Sequence, residues 1–236
     1  EKKHGGEYDT SFTPAPDNKP LETDPVLFMR SQGTAASAQL PFFTHKQLQY
    51  GATPLRGAYK LSSVDRVHTS MSWSNPFSFS HGLLLPLLTG ATCVIDHGME
   101  ATEFVDFLSK ARVTRTVGTP ADADRLLALF KAEKRPMPPL KSFTVGLGPA
   151  TTETRAGFSE LKIPLLQTYG QSEALWTIAM QSIETPDEPP RPLPGMKADP
   201  ARFADLYECP SGKRLVVVED PERYTLFVQA PTLEEA

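Results

Sequence analysis

Short apolar runs alternate with amphipathic, helix-length segments along most of this chain, joined by connections of a few residues, and that alternation limits the fold more than any other feature. Val26 to Met29 reads as a strand, followed by a polar loop and a helix from about Thr44 to Tyr59. Val67 to Ser72 is the next strand, then a helix beginning near His81, then the strand Ala91 to Ile95. A helix over Thr102 to Ala111 places Phe104, Phe107 and Leu108 at helical spacing. Val113 to Val117 is a strand, and Thr119-Pro120 opens a helix with Leu126, Leu127 and Phe130 on one face. Thr119 is the predicted N-cap, with Pro120 at the first helical position. Phe143 to Val145, a helix over Thr152 to Leu161, and Pro164 to Thr168 continue the series. Such an order predicts an α/β fold, a doubly wound and mostly parallel sheet flanked by helices.

The alternation does not cover the whole chain. Residues 1–24 are polar and rich in turn formers, and read as a linker or tail. The α/β unit is expected over 25–183. Beyond it, 184–236 reads as a proline-rich connector followed by a small β unit, with strands at Arg214 to Glu219 and Tyr224 to Gln229. A sheet of this limited extent leaves an exposed edge, which an additional segment or self-association is expected to cover.

Composition narrows the function by exclusion. The 236 residues carry a formal net charge of −4, which gives no electrostatic case for nucleic acid. The longest apolar stretch, Gly82 to Ile95, is broken by Pro86, Thr89 and Gly90 and is too short to span a membrane. Cys93 and Cys209 are far apart and lack metal-ligand spacing, so Cys93 reads as a buried thiol and a cytoplasmic, reducing compartment fits. His68 and His97 stand beside strand ends without ligand partners, and His81 reads as a polar surface residue. No Gly-x-Ser-x-Gly elbow suggests a hydrolase.

The chemistry concentrates in Gln167-Thr168-Tyr169-Gly170-Gln171-Ser172-Glu173, which reads as a turn between two apolar runs, with Gly146-Leu147-Gly148-Pro149 about twenty residues before it. The turn offers a ring for stacking (Tyr169), a hydroxyl for a phosphate oxygen (Ser172) and a carboxylate for a magnesium ion (Glu173). Open α/β sheets place nucleotide sites at the carboxyl ends of their strands.

These segments resemble the adenylate-forming enzymes: acyl- and aryl-CoA synthetases, peptide-synthetase adenylation domains and luciferases. Ser31 to Leu40 aligns with the family's phosphate loop, matching at Gly33 and Thr34, and Thr44-His45 matches the pair that follows. Gly82 to Thr92 matches the helix and strand next in order, and Tyr169-Gly170-Gln171-Ser172-Glu173 fits the aromatic-Gly-x-Ser/Thr-Glu motif completely. Arg191 to Met196 and Tyr224 to Thr232 resemble the turn and strand beyond it. The departures are Ala36 for glycine, Ala38 for proline, Gln39 for the lysine, and Leu147 for a glycine of the adenine loop. A lost cation at the phosphate loop costs about 2.7–4 kcal/mol of transition-state stabilisation, by analogy with one lost electrostatic donor.

The resemblance implies an AMP-forming acid–thiol ligase. ATP and a carboxylic acid give an acyl-adenylate, and the acyl group passes to CoA or to the pantetheine of a carrier protein. It gives Gly33, Thr34, Gly146, Leu147, Gly148, Pro149, Tyr169, Gly170 and Ser172 to the nucleotide, Glu173 to Mg²⁺, and Glu173 and Thr34 to catalysis. Trp73, Asn75 and Phe77 are the implied acyl-pocket residues, although packing and capping are the simpler roles for all three. The alternative function is an inactive relative that keeps the sheet as a binding or scaffolding module, because the departures fall on residues that handle nucleotide.

Overall fold

The computed structural model describes residues 21–30, 40–96, 101–132, 138–172, 175–188 and 190–193, together with the backbone of three later strands. A short hairpin comes first: β1 (Pro25–Phe28) pairs antiparallel with β2 (Phe42–Thr44). Helix α1 (His45–Tyr59) follows directly and is closed by a capping box. The Thr44 hydroxyl accepts from the Gln47 N–H, and the Gln47 side chain accepts from the Thr44 N–H at 2.9 Å.

The main sheet has seven strands in the order β4-β3-β5-β6-β7-β8-β9. These are β3 (Arg66–Thr69), β4 (Thr92–Val94), β5 (Arg115–Gly118), β6 (Ser142–Val145), β7 (Leu165–Gln171), β8 (Trp176–Met180) and β9 (Arg191–Pro192). Strands β3 to β7 are mutually parallel, and β8 pairs antiparallel with both β7 and β9. Parallel neighbours need crossovers, and helices supply them. The doubly wound expectation holds for the parallel strands, and β8 and β9 extend the sheet antiparallel. Phe203–Glu208, Arg214–Val218 and Phe227–Ala230 form a separate three-stranded antiparallel sheet, β10-β11-β12. The first of these strands was not expected from the sequence.

Helices cover both faces. On one face α4 (Ala101–Lys110), α5 (Pro120–Ala132) and α6 (Thr152–Glu160) bury Leu108, Leu126 and Phe158 against Phe143, Val145 and Leu165. The opposite face carries α1 and a helical stretch from Pro76 to Thr89, which bury Leu55, Tyr59, Phe77 and Leu85 against Val67, Val117 and Leu166. Thr119 caps α5 as expected, its hydroxyl accepting from the Asp122 N–H while Asp122 accepts from the Thr119 N–H.

The helix expected to begin near His81 starts earlier, at Pro76, and is not regular. It opens as α2 (Pro76–Ser78), widens into a π-helical turn at Phe79–Leu84, and closes as α3 (Leu85–Thr89). Pro86 has no N–H to give to the carbonyl one turn earlier. The Cys93 thiol lies 3.2 Å from that carbonyl, on Gly82, and donates to it. Cys93 is thus half-buried and occupied, and burial pushes its thiol pKa up. The widened turn rotates His81 inward, so the surface role expected for it is wrong: His81 is 1% exposed.

Candidate functional site

Strands β6 and β7 bring the two halves of the main motif to one end of the sheet. Val145 pairs with Gln167, so the chain leaving β6 at Gly146 lies beside the residues of β7 that lead to Tyr169. Gly146 donates its N–H to the Gly118 carbonyl at 3.1 Å. A side chain at 146 would meet the Phe77 ring at 2.6 Å, so glycine there is required by the packing of Phe77. Leu147 adopts φ 63°, the left-handed region that costs a residue with a Cβ about 1–2 kcal/mol. Leucine therefore replaces glycine at a position where glycine would relax the backbone. Gly148 follows at φ 151°, a conformation nearly reserved for glycine.

The aromatic-Gly-x-Ser-Glu segment is less of a turn than expected. Tyr169, Gly170 and Gln171 belong to β7, with a register shift between Tyr169 and Gly170, and the chain reverses only after Ser172. Tyr169 is 8% exposed and Ser172 is buried. Glu173, and Gly33 and Thr34 of the phosphate loop, lie outside the described residues.

Of the three acyl-pocket candidates, Asn75 is the N-cap of α2 and accepts from the Phe77 N–H at 2.9 Å. Phe77 is fully buried between His81 and the Gly146 backbone, its ring centroid 4.7 Å from that of His81. Trp73 is half-buried on the approach to this helix. The helix therefore carries Phe77 to the underside of the Gly146 loop, while Asn75 fixes where the helix starts.

Beneath the loop runs a buried polar chain. Tyr59 and His81 share a 2.6 Å hydrogen bond through Nδ1, and His81 Nε2 bonds the Thr177 hydroxyl on β8. Burial drives the His81 pKa down to about 3, so the ring is neutral, and burial pushes the Tyr59 phenol up. The Arg115 guanidinium stands over the Tyr59 ring at 5.9 Å, and its Nε lies 3.7 Å from Asp65. Burial alone would raise the Asp65 carboxyl, but Lys141 at 2.7 Å, the Ser62 N–H, Thr114 and Arg115 outweigh it and hold it below the ordinary value. On the other face, His68 bonds Asp96 at 2.9 Å and Thr116 at 3.1 Å. Desolvation lowers the His68 pKa against the pull of Asp96 and Asp122. A carboxylate only accepts, so the His68 proton is on Nε2 and Thr116 donates to Nδ1.

Sequence reading placed Gln167 in the motif but gave it no role; it bridges the loop and β7 and is 1% exposed. A signal was present, since a glutamine follows two leucines inside a strand. Among the described residues, no group of three or more His, Cys, Asp or Glu is placed to hold a metal, and no helix is long and apolar enough to cross a membrane.

A family model for AMP-binding enzymes matches residues 1–204. The chain belongs to the AMP-binding enzyme family. An indoleacetate–CoA ligase from Aromatoleum aromaticum is 23% identical over 149 residues, which are 63% of this chain and 29% of that protein. Among solved structures, VinN in complex with L-aspartate superposes with a TM-score of 0.70 at 20% identity, over 85% of this chain and 51% of VinN. The anthranilate CoA ligase AuaEII bound to anthranoyl-AMP gives 0.67 at 17% identity, over 81% of this chain and 39% of AuaEII. The N-terminal domain of FACL13 from Mycobacterium tuberculosis gives 0.71 at 14% identity, over 92% of this chain and 63% of that domain. The fold corresponds to part of the N-terminal domains of AMP-binding enzymes. This chain spans under a third of the ligase it matches in sequence and about half of VinN.

Proposed function

We propose that this chain is the central part of an acyl- or aryl-CoA synthetase, and that its site receives the adenine of ATP. The observation that carries the reading is the meeting of the Gly146–Pro149 loop with Tyr169 at the carboxyl ends of adjacent strands, in a member of the AMP-binding family. The described residues fit a planar base, because the left-handed turn at Leu147 follows β6 and Tyr169 lies toward the same end of the paired strand β7. Tyr169 offers its ring, Leu147 to Pro149 offer backbone groups to the base edge, and Ser172 offers a hydroxyl toward phosphate. Gly33 and Thr34 would meet the phosphates, with Thr34 stabilising the charge that develops there. Glu173 would hold Mg²⁺, which neutralises phosphate charge.

The reaction joins a carboxylic acid to AMP with release of pyrophosphate, then transfers the acyl group to the thiol of CoA or a carrier-protein pantetheine with release of AMP. Trp73, on the approach to the helix beneath the loop, and Phe77, within that helix, would face the acid, and Asn75 would position the helix. Gln39, where the family has lysine, predicts slow pyrophosphate formation by these residues alone. Further chain or a partner copy is expected to cover β4, one of the two edge strands of the main sheet, and a cytoplasmic setting fits the free Cys93.

Calorimetric titration with Mg-ATP tests the reading, with Tyr169→Ala and Glu173→Ala as controls. Binding in the wild type that is lost in both variants supports it. No binding at millimolar ATP would sink it and leave the inactive scaffold, which the family match does not favour.

A further inference from the structure

Gln167 lies in β7 directly after two buried leucines, with its amide shut away from solvent. A primary amide in that setting is costly unless both of its ends are bonded. Both ends are engaged. Oε1 accepts from the Ala150 N–H at 3.1 Å and from Nη2 of Arg155 at 3.1 Å. Nε2 donates to the Gly148 carbonyl at 2.9 Å, with the Thr168 and Val145 carbonyls at 3.1 and 3.3 Å. The Gln167 backbone is fixed in turn, its N–H donating to Gln181 Oε1 at 2.7 Å. Two lone pairs and two hydrogens are the full capacity of the amide, and all are spent inside the protein.

The two loop groups held by this amide flank Pro149, while Leu147, one residue earlier, is kept left-handed at φ 63°. A leucine stays in that conformation only where its surroundings over-determine it. The strand that supplies the amide carries Tyr169 two residues later. We infer that Gln167 is the positioning residue of this site: its amide pins the Gly146–Ala150 loop against β7 and so sets the slot between that loop and Tyr169, without touching the base. The role of the slot rests on the nucleotide reading above; the pinning of the loop does not.

Gln167→Met keeps the length of the side chain and removes every hydrogen bond. Gln167→Glu keeps the outline but turns an oxygen toward the three carbonyls. Amide exchange at Ala150, binding of Mg-ATP and binding of inorganic triphosphate are measured for the wild type and both variants. In the wild type, Ala150 is expected to be protected although it belongs to no helix or strand. Gln167→Met is expected to speed its exchange at least tenfold and to weaken Mg-ATP at least tenfold, with triphosphate unchanged. Gln167→Glu is expected to lose more. A folded Gln167→Met protein with unchanged ATP affinity would overturn the inference while leaving the nucleotide site standing on Tyr169→Ala. An Ala150 amide that exchanges freely in the wild type would overturn it even where neither variant folds. A wild type that binds no ATP sinks the nucleotide reading, and the pinning is then upheld or overturned by Ala150 exchange alone.

Discussion

The two faces of the main sheet are built on different principles. The face under α4, α5 and α6 has a dry centre: Leu108, Leu126 and Phe158 pack on Phe143 and Leu165, and its polar groups include two separate clusters, His68 with Thr116 and Asp96 at β3 and β5, and Gln167 with Arg155 at β7 and α6. The face under α1 and the Pro76–Thr89 stretch has an apolar core of similar make-up, but a chain of polar groups threads it from Asp65 through Arg115, Tyr59 and His81 to Thr177. A dry face gains stability from burial and tolerates shape changes poorly. A threaded face gains little net stability from its polar groups, since desolvation cancels most of their attraction, yet it loses heavily when one partner is removed.

Phe158→Ala tests the dry side and is expected to have the largest effect. Phe158 is fully buried and meets Phe143 edge-on at 5.4 Å. Truncation should cost about 3–5 kcal/mol, from lost transfer energy plus a cavity. Chemical denaturation measures it, and a loss under 1 kcal/mol would show that this face can collapse around the gap.

Asp65→Asn tests the threaded side. It keeps the outline of the side chain but leaves the Arg115 guanidinium buried opposite a neutral group, and removes the carboxylate that Lys141 reaches. The expected loss is about 3 kcal/mol, at the lower end of the range for a broken buried pair, because Lys141 is half-exposed and returns to water. Adding Arg115→Met should recover part of that loss. If the double variant is no better than the single one, the cost lies in the Ser62 and Thr114 hydrogen bonds and not in the charge.

The two faces were unequally legible in the sequence. The dry face follows from period: Phe104, Phe107 and Leu108 on α4 and Leu126, Leu127 and Phe130 on α5 recur at helical spacing and point to the sheet. The threaded face does not, because its partners are remote in the chain; His81 is 22 residues from Tyr59 and 96 from Thr177. Its inward turn depends on a π-helical turn that helical periodicity cannot register. At the candidate site, Tyr169 and the Gly146–Pro149 loop were legible as motifs, and the sheet brings them together. The role of Gln167 was not, since a buried amide shows its purpose only through the backbone groups it reaches.

The pH dependence of stability separates the faces by a smaller amount. Unfolded His81 takes up a proton as pH falls through about 6.5, whereas folded His81 stays neutral down to about 3. Its contribution is therefore complete above pH 6.5 and drains away below it, by about 1.4 kcal/mol per pH unit and about 2 kcal/mol by pH 5. His68, also lowered by burial, adds loss in the same direction. Asp65, held below its ordinary value, adds further loss once pH falls through the unfolded carboxylate range. His81→Gln should flatten the slope between pH 6.5 and 5 to that of His68 alone. An unchanged slope would mean that His81 titrates freely and that the threaded face is wet in solution.

The smallest expected effect decides what the start of the Pro76–Thr89 stretch is for. Asn75 accepts one N–H of the short helix α2, and Asn75→Ala should cost about 1 kcal/mol, the worth of an N-cap. If capping is its whole task, Asn75→Ser restores most of the stability, and acid-dependent pyrophosphate release from the full-length protein keeps its KM in both variants. A KM that rises tenfold in Asn75→Ala and stays high in the stable Asn75→Ser protein would place the amide at the acyl group instead. The cap would then be incidental, and the threaded face would extend from the His81–Thr177 pair to the substrate.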